Sequence, residues 1–428
     1  MTAEGTLPDL GVRHALLLQG PAGPFMLRFA HELHASGVRV TKVNFHAGDR
    51  LFFPPSTGFA DVVPFREPFA AWDGFVRQLI RERHIDGVFV FGDCRWLHRR
   101  AVEAAEALGA KVWVFEEGYL RPDWITLEEH GVNGFSRMPR DPAFYREHDP
   151  GETPPSTPPG PSFRYNGWYS TLNAMAFTLA NGDFRFYAHH RDLNCWRHAR
   201  WHVRSAWRKW RFGRAERGML QRFTGELSGR YFFVPLQVHC DFQLRHSPYD
   251  DVLEMVHEVV ETFAEHGRPD DHLVFKHHPM DRAYREYGPL FAELRRTHGL
   301  GERLHYCHDL HLPTLLQHAK GTITINSTVG LQSVHHGTPV KVLGTAVYDM
   351  KGLVDGSSLA EFLQVPGPAP DEQLYRSFRR WLLHHNQANG NFYVRLRGRS
   401  SPTGIRWFPK PPPSRRSQPT RAHAPEAR

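Results

Sequence analysis

Two stretches carry the residue types that hold and stabilise a phosphate: Lys276-His-His-Pro-Met-Asp-Arg282 and Asn326-Ser-Thr-Val-Gly330. Ser327 and Thr328, with Asn326 before them, offer polar groups beside the unpaired N–H groups that open a helix, a natural seat for phosphate oxygens. Lys276, His277 and His278 supply donors opposite that seat, and a histidine can also protonate a departing phosphate. The same residues also satisfy plainer roles. Ser327 can simply cap its helix, and Pro279 pushes His278 out of the α region into a turn.

A second source of chemistry is Pro235-Leu-Gln-Val-His-Cys-Asp-Phe-Gln-Leu-Arg-His246, where Gln237, His239, Asp241, Arg245 and His246 crowd into ten residues. Asp241 can serve as base or nucleophile, and Arg245 and His246 can neutralise a carboxylate or phosphate. Phe115-Glu-Glu-Gly-Tyr-Leu-Arg-Pro122 places two carboxylates beside Arg121. Either Glu116 or Glu117 can take a proton from an acceptor hydroxyl, with Glu117 preferred because it precedes Gly118; a surface ion pair to Arg121 is the plain alternative. In Gln19-Gly-Pro-Ala-Gly-Pro24, Gly20 and Gly23 let the backbone approach a ligand, without the GxGxxG spacing of a dinucleotide fold.

Each cluster follows an apolar run that reads as a strand. Strands at 13–18, 38–45, 87–91 and 111–115 alternate with helices at 25–36, 69–83 and 96–108, the signature of a covered parallel sheet. A second series starts at Tyr231 and continues with strands at 272–276, 303–306, 321–325 and 339–343, interleaved with helices. Pro150–Pro161 holds six prolines and reads as a linker. The expected class is α/β of the GT-B type, two Rossmann-like domains facing a central cleft. The expected division is an acceptor-side domain over 1–149, a linker and helical insert over 150–225, and a donor-binding domain over 226–370. A helix over 371–400 is expected to pack back on the cleft side, followed by a disordered Pro/Arg-rich tail over 401–428. Ligands in such sheets bind beyond the carboxyl ends of the strands, where these clusters fall.

The 428 residues carry a formal charge of +8, with 40% hydrophobic and 23% charged residues, which excludes global disorder and favours acidic partners. No run reaches the roughly 20 apolar residues of a membrane span, and residues 1–12 lack the features of a secretory signal. Four separated cysteines form no disulfide framework or finger spacing, and no metal site is expected. Arg191 to Arg217 is strongly basic, with Trp196, Val203, Trp207 and Trp210 on one helical face. Such a helix suits an anionic membrane surface; docking of the tryptophans on the core and nucleic-acid binding are the alternatives.

The chain resembles the capsule polysaccharide biosynthesis family, the KpsS-type and KpsC-type β-Kdo glycosyltransferases of Gram-negative bacteria, and is nearer the KpsS type. The resemblance rests on LLLQGPAGPF, VTKVNFHAGD (40–49), FGDCRWLHRRA (91–101), VFEEGYLRPDWITLE (114–128), GVNGFSRMPRDP (131–142), VPLQVHCDFQ (234–243), FKHHPMDR (275–282), INSTVGL (325–331) and NQANGNFY (386–393). It implies an enzyme that moves β-Kdo from CMP-Kdo to a lysophosphatidylglycerol-type acceptor at the cytoplasmic face of the inner membrane, initiating a capsule linker. By that likeness Gln237 and Asp241 form a QxxxD element with Asp241 the catalytic carboxylate, acting through a covalent sugar–Asp intermediate with retention. His278-Pro279 and Ser327-Thr328 resemble CMP-binding elements, and Glu117 falls on the acceptor side. Neither a metal requirement nor a nucleic-acid partner is implied; a KpsC-type transferase is an expected partner. The rival readings are a non-catalytic capsule export or scaffold protein, and a transferase of the same fold using another CMP-sugar.

Overall fold

The computed structural model describes residues 5–189 and 192–408; Arg191 of the basic segment and positions 409–428 of the Pro/Arg-rich tail lie outside the described residues. Six strands build the N-terminal sheet: β1 (His14–Leu17), β2 (Arg39–Asn44), β3 (Asp61–Pro64), β4 (Gly87–Phe91), β5 (Lys111–Glu117) and β6 (Trp124–Glu129). Five more build the second: β7 (Tyr231–Pro235), β8 (His272–Lys276), β9 (Leu304–Cys307), β10 (Gly321–Thr324) and β11 (Val340–Val342). A last strand, β12 (Gln387–Asn389), returns to the first sheet and pairs antiparallel with β6.

Strand order explains where ligands must go. The parallel part of the first sheet runs β3-β2-β1-β4-β5, and the second runs β9-β8-β7-β10-β11. In each, the order reverses beside the first strand of its series, so a crevice opens beyond the ends of β1 and β4, and of β7 and β10. The central strands are almost continuously apolar and buried, as sheets covered on both faces require. The result is the GT-B layout of two Rossmann-like lobes.

The chain crosses back to the first lobe at its end. The helix Glu372–His385 buries Phe378 and Trp381 against Tyr145, with ring centroids 4.9 and 5.6 Å away. From this returning segment Tyr393 reaches the cleft. Within the expected tail, residues 401–408 are instead packed. Ile405, Trp407 and Phe408 are buried in the N-terminal core, and Trp407 Nε1 donates to Glu32 Oε2 at 2.8 Å. Apolar side chains between polar neighbours give this short segment its anchor, which its Pro/Arg-rich continuation obscures in sequence.

Two helices that the strand pattern does not contain join the lobes: Phe163–Ala180 and the basic Cys195–Ala215. Asn194 caps the second, accepting from the N–H groups of Trp196 and Arg197 at 3.1 and 3.2 Å.

Candidate active site

One cleft of about 1310 Å³ opens between the lobes and is walled by the strand ends of both. On the C-terminal side the loop after β7 brings Gln237 and Asp241, the loop after β10 brings Asn326, Ser327 and Thr328, and the turn after β8 brings His278 and Pro279. Gln237 Nε2 donates to Asp241 Oδ2 at 3.1 Å and to Asn326 Oδ1 at 3.0 Å. Asp241 Oδ1 accepts from the Gln243 N–H at 3.0 Å, starting the turn Phe242–His246. The carboxylate is therefore held at the crevice from two sides. The Oε1 atom of Gln237 is buried without a hydrogen-bond partner among the described residues, an acceptor at the cleft wall.

The loop expected to seat an anion has a built geometry. Ser327 Oγ accepts from the Val329 N–H at 3.2 Å, so this hydroxyl does cap the helix Thr328–His335. Tyr348 Oη donates to the Ser327 carbonyl at 2.5 Å, and a Cβ on Gly330 would lie 2.1 Å from that hydroxyl. Only glycine at 330 lets Tyr348 brace the turn from behind. Thr328 faces the cleft at the positive end of the helix. His278 Nδ1 accepts from the Met280 N–H at 3.2 Å, which leaves the ring proton on Nε2. Burial brings this imidazole down to about 4, so near neutrality it is an uncharged hydrogen-bond donor and not an acid.

Glu116, Glu117, Arg121 and Gly20 line the opposite wall. Glu117 pairs with Arg121 at 3.2 Å. Glu116 Oε1 accepts from the Glu117 N–H at 2.9 Å, yet burial pushes its carboxyl up to about 7. Thus the carboxylate less favoured from sequence has the proton affinity of a base, while its neighbour is engaged in an ion pair. The returning segment supports this loop: Gln387 Oε1 accepts from the Tyr119 N–H at 2.9 Å.

Four residues on this wall escaped the sequence reading: Lys42, His46, Asp49 and Arg95. Lys42 is buried inside β2, and burial brings its ammonium down to about 8. His46 contacts Gln19 Nε2 at 2.8 Å, and Arg95 donates to Gln19 Oε1 at 3.2 Å. A lysine within an otherwise strand-like run, followed by His and Asp at the strand end, was the available signal.

Three expected donor residues do not reach the cleft. Lys276 Nζ turns inward and donates to the His308 carbonyl at 2.9 Å. His277 is buried, its Nδ1 2.7 Å from Tyr306 Oη. As neighbours at the end of β8 they point to opposite faces of a sheet covered on both sides, so both are buried, and His278, in the turn, is the first to emerge at the wall. Arg245 is exposed outside the wall, its guanidinium 5.8 Å from the Phe242 ring centroid. His246 is also absent from the wall; it is buried against the N-terminal lobe.

The basic helix divides into two faces. Trp201 packs on Tyr284 with centroids 4.7 Å apart, and Arg208 donates to the carbonyls of Arg282 and Arg285 at 2.8 and 2.9 Å. The opposite stripe does not dock on the core: Trp196, Val203, Trp207 and Trp210 are 74, 72, 52 and 60% exposed. Arg211 and Arg214 stand over the Trp207 and Trp210 rings at 5.4 and 5.1 Å. The neighbouring helix adds exposed Phe163, Trp168 and Leu179, while both helices also line the cleft through Phe163, Asn166, Trp201 and Lys209. Among the described residues, no helix is long and apolar enough to cross a membrane.

Two Rossmann-like lobes walling one cleft define a protein of the GT-B class. The model of the family described as capsule polysaccharide biosynthesis protein matches residues 86–393, and the chain belongs to that family. It is 40% identical over 379 residues to the capsule polysaccharide export protein KpsS of Escherichia coli, covering 88% of this chain and 96% of that one. It is 38% identical over 393 residues to the capsule polysaccharide modification protein LipB of Neisseria meningitidis serogroup A, covering 89% and 92%. Among solved structures it is similar to Thermosulfurimonas dismutans KpsC, beta Kdo 2,7 transferase, at 14% identity and a TM-score of 0.41, covering 88% and 92% of the two chains.

Proposed function

We propose that the protein is a retaining glycosyltransferase that moves β-Kdo from CMP-Kdo to an anionic lysophospholipid, such as lysophosphatidylglycerol, to initiate a capsule linker. The observation that carries this reading is the convergence of Asp241, His278 and Ser327 on one cleft wall. The cytidylate phosphate sits at the start of the helix Thr328–His335, accepting from the Thr328 N–H, Thr328 Oγ1 and His278 Nε2, while the Val329 and Gly330 N–H groups serve Ser327. Gln237 Oε1 offers an acceptor to the donor.

Asp241 attacks the anomeric carbon as the bond to the CMP phosphate oxygen breaks, giving a glycosyl–aspartate ester and CMP. Glu116 then takes the proton of the acceptor hydroxyl, whose oxygen attacks the same carbon. The ester bond breaks, Asp241 regains its charge, and two inversions yield retention. Glu116 is suited to this because its carboxyl titrates near neutrality. No step calls for a metal.

The exposed Trp196–Trp210 stripe, the apolar side chains of Phe163–Ala180 and the surrounding arginines form a surface suited to anionic lipid headgroups. Because the same helices line the cleft, a lipid acceptor has a short path from an inner-membrane surface to Glu116. A cytoplasmic, peripheral location and a KpsC-type transferase that extends the product fit this reading. Its test is CMP release and lipid-linked Kdo formation from CMP-Kdo and lysophosphatidylglycerol, with CMP-sialic acid as the competing donor. The Escherichia coli relative is named as an export protein, which favours a second reading, a capsule export component without catalysis; that reading requires no turnover by the wild type and no effect of Asp241→Ala.

A further inference from the structure

Where the lobes meet beside the cleft, three chemically different metal-binding side chains converge. Asp93 and Cys94 follow β4, at the crevice of the N-terminal lobe, while His246 ends the turn that Asp241 begins on the other lobe. All three are buried, and one donor atom from each lies within 4.8 Å of the others. Cys94 Sγ is 3.2 Å from His246 Nε2 and 3.5 Å from Asp93 Oδ1. A tetrahedral zinc ion with ordinary Zn–S, Zn–N and Zn–O lengths separates its ligand atoms by about 3.3–3.6 Å. Two edges of that tetrahedron are therefore already close to length.

The supporting contacts suit a ligand set. Asp93 Oδ2 accepts from the Val132 N–H at 2.9 Å, which fixes the carboxylate and turns Oδ1 toward the thiol. The Phe135 ring stands edge-on to His246 at 4.5 Å and limits its tilt. A Cβ on Gly134 would fall 2.3 Å from His246 Nδ1, so the N-terminal lobe closes on the imidazole. Cys94 also forms part of the cleft wall, which puts the cluster at the edge of the cleft.

We infer that Asp93, Cys94 and His246 bind a zinc ion that clamps the two lobes together. On binding, the Cys94 thiol gives its proton to solvent and its thiolate joins the neutral imidazole and the carboxylate, a donor set that favours zinc over magnesium or calcium. The clamp ties β4 to the turn carrying Asp241, so metal occupancy sets the width of the cleft and takes no part in bond making. The inference is independent of the donor and acceptor assigned above.

The test uses the full chain, purified without a metal-affinity step, stripped with chelator and titrated with zinc or cobalt. The wild type takes up one equivalent that survives dialysis, and cobalt produces a thiolate charge-transfer band with the intense visible bands of a tetrahedral site. Cys94→Ser loses the band and His246→Gln weakens binding at least tenfold, which separates this site from adventitious binding by the chain's 29 histidines. Should Cys94→Ser fail to fold, alkylation of wild-type Cys94 under denaturant-free conditions substitutes, and zinc slows it. Absence of a stoichiometric metal from folded wild type, a charge-transfer band retained by folded Cys94→Ser, or alkylation indifferent to zinc overturns the inference. CMP release measured alongside reports on the transferase reading separately.

Discussion

Gln237 donates its side-chain amide to Asp241 at 3.1 Å, four residues further along the same loop. The same nitrogen reaches Asn326 on the neighbouring loop, so one glutamine ties the carboxylate to the start of the helix Thr328–His335 across the β7–β10 crevice. The proposed nucleophile and the proposed leaving-group site are thereby held in one frame.

Gln237→Leu removes that tie without adding charge. A hydrogen bond to a charged group is worth about 1.5–3 kcal/mol, so kcat is expected to fall roughly 10- to 100-fold with thermal stability little changed. Steady-state CMP release and a melting curve check both parts.

Glu116→Gln is expected to lower the transfer rate by about 10²–10⁴, while Glu117→Gln acts mainly through Arg121 and costs far less. Wild-type transfer to acceptor rises with pH through about 7 as Glu116 ionises. Stability runs the other way. The folded carboxyl is raised above its ordinary value of 4.5, so its contribution is fully present below that value and is lost as pH rises through about 7. Glu116→Gln removes both slopes, which a pH–rate profile and melting curves over the same range detect.

His278 is neutral well below neutrality, so CMP affinity is expected to stay flat between about pH 5.5 and 8 as far as this residue is concerned. His278→Ala weakens CMP binding about tenfold by loss of the Nε2–H donor. Lys276→Met lowers stability and leaves CMP affinity nearly intact, because the ammonium serves the His308 carbonyl. Calorimetric titration of CMP distinguishes the two.

Arg211 and Arg214 lie over exposed tryptophans on the outer face of the basic helix. At about 1 kcal/mol per basic residue near an anionic surface, Arg211→Gln with Arg214→Gln weakens binding to phosphatidylglycerol vesicles roughly 30-fold. Turnover of a water-soluble acceptor is unaffected. Vesicle cosedimentation at two salt concentrations, with neutral vesicles as control, measures the effect.

Strand ends were legible because the alternation of apolar runs and helices locates them, and ligands collect there. The loops carrying Asp241, His278 and Ser327 could thus be expected at the cleft, while the choice of these three residues came from the family resemblance. Which residue of a polar run faces the cleft was not legible, because it depends on the pleat and the turn that follows: Lys276 and His277 turn inward where His278 does not. Lys42, His46, Asp49 and Arg95 were missed since a lone charge within a strand-like run looks incidental until Gln19 and the neighbouring loops enclose it. A Trp stripe reads alike whether it meets the core or solvent; the contact of Trp201 with Tyr284 on the other face decides it. The packing of Trp407 on Glu32 spans most of the chain and leaves no local trace.

The most direct measurement is intact-protein and peptide mass analysis of the Glu116→Gln variant after brief exposure to CMP-Kdo, beside Asp241→Ala. Glu116→Gln is expected to gain one Kdo residue on the peptide containing Asp241, with one equivalent of CMP released, and Asp241→Ala to show neither. CMP-Kdo turnover retained by Asp241→Ala, or an adduct on any other residue, would contradict the proposed mechanism.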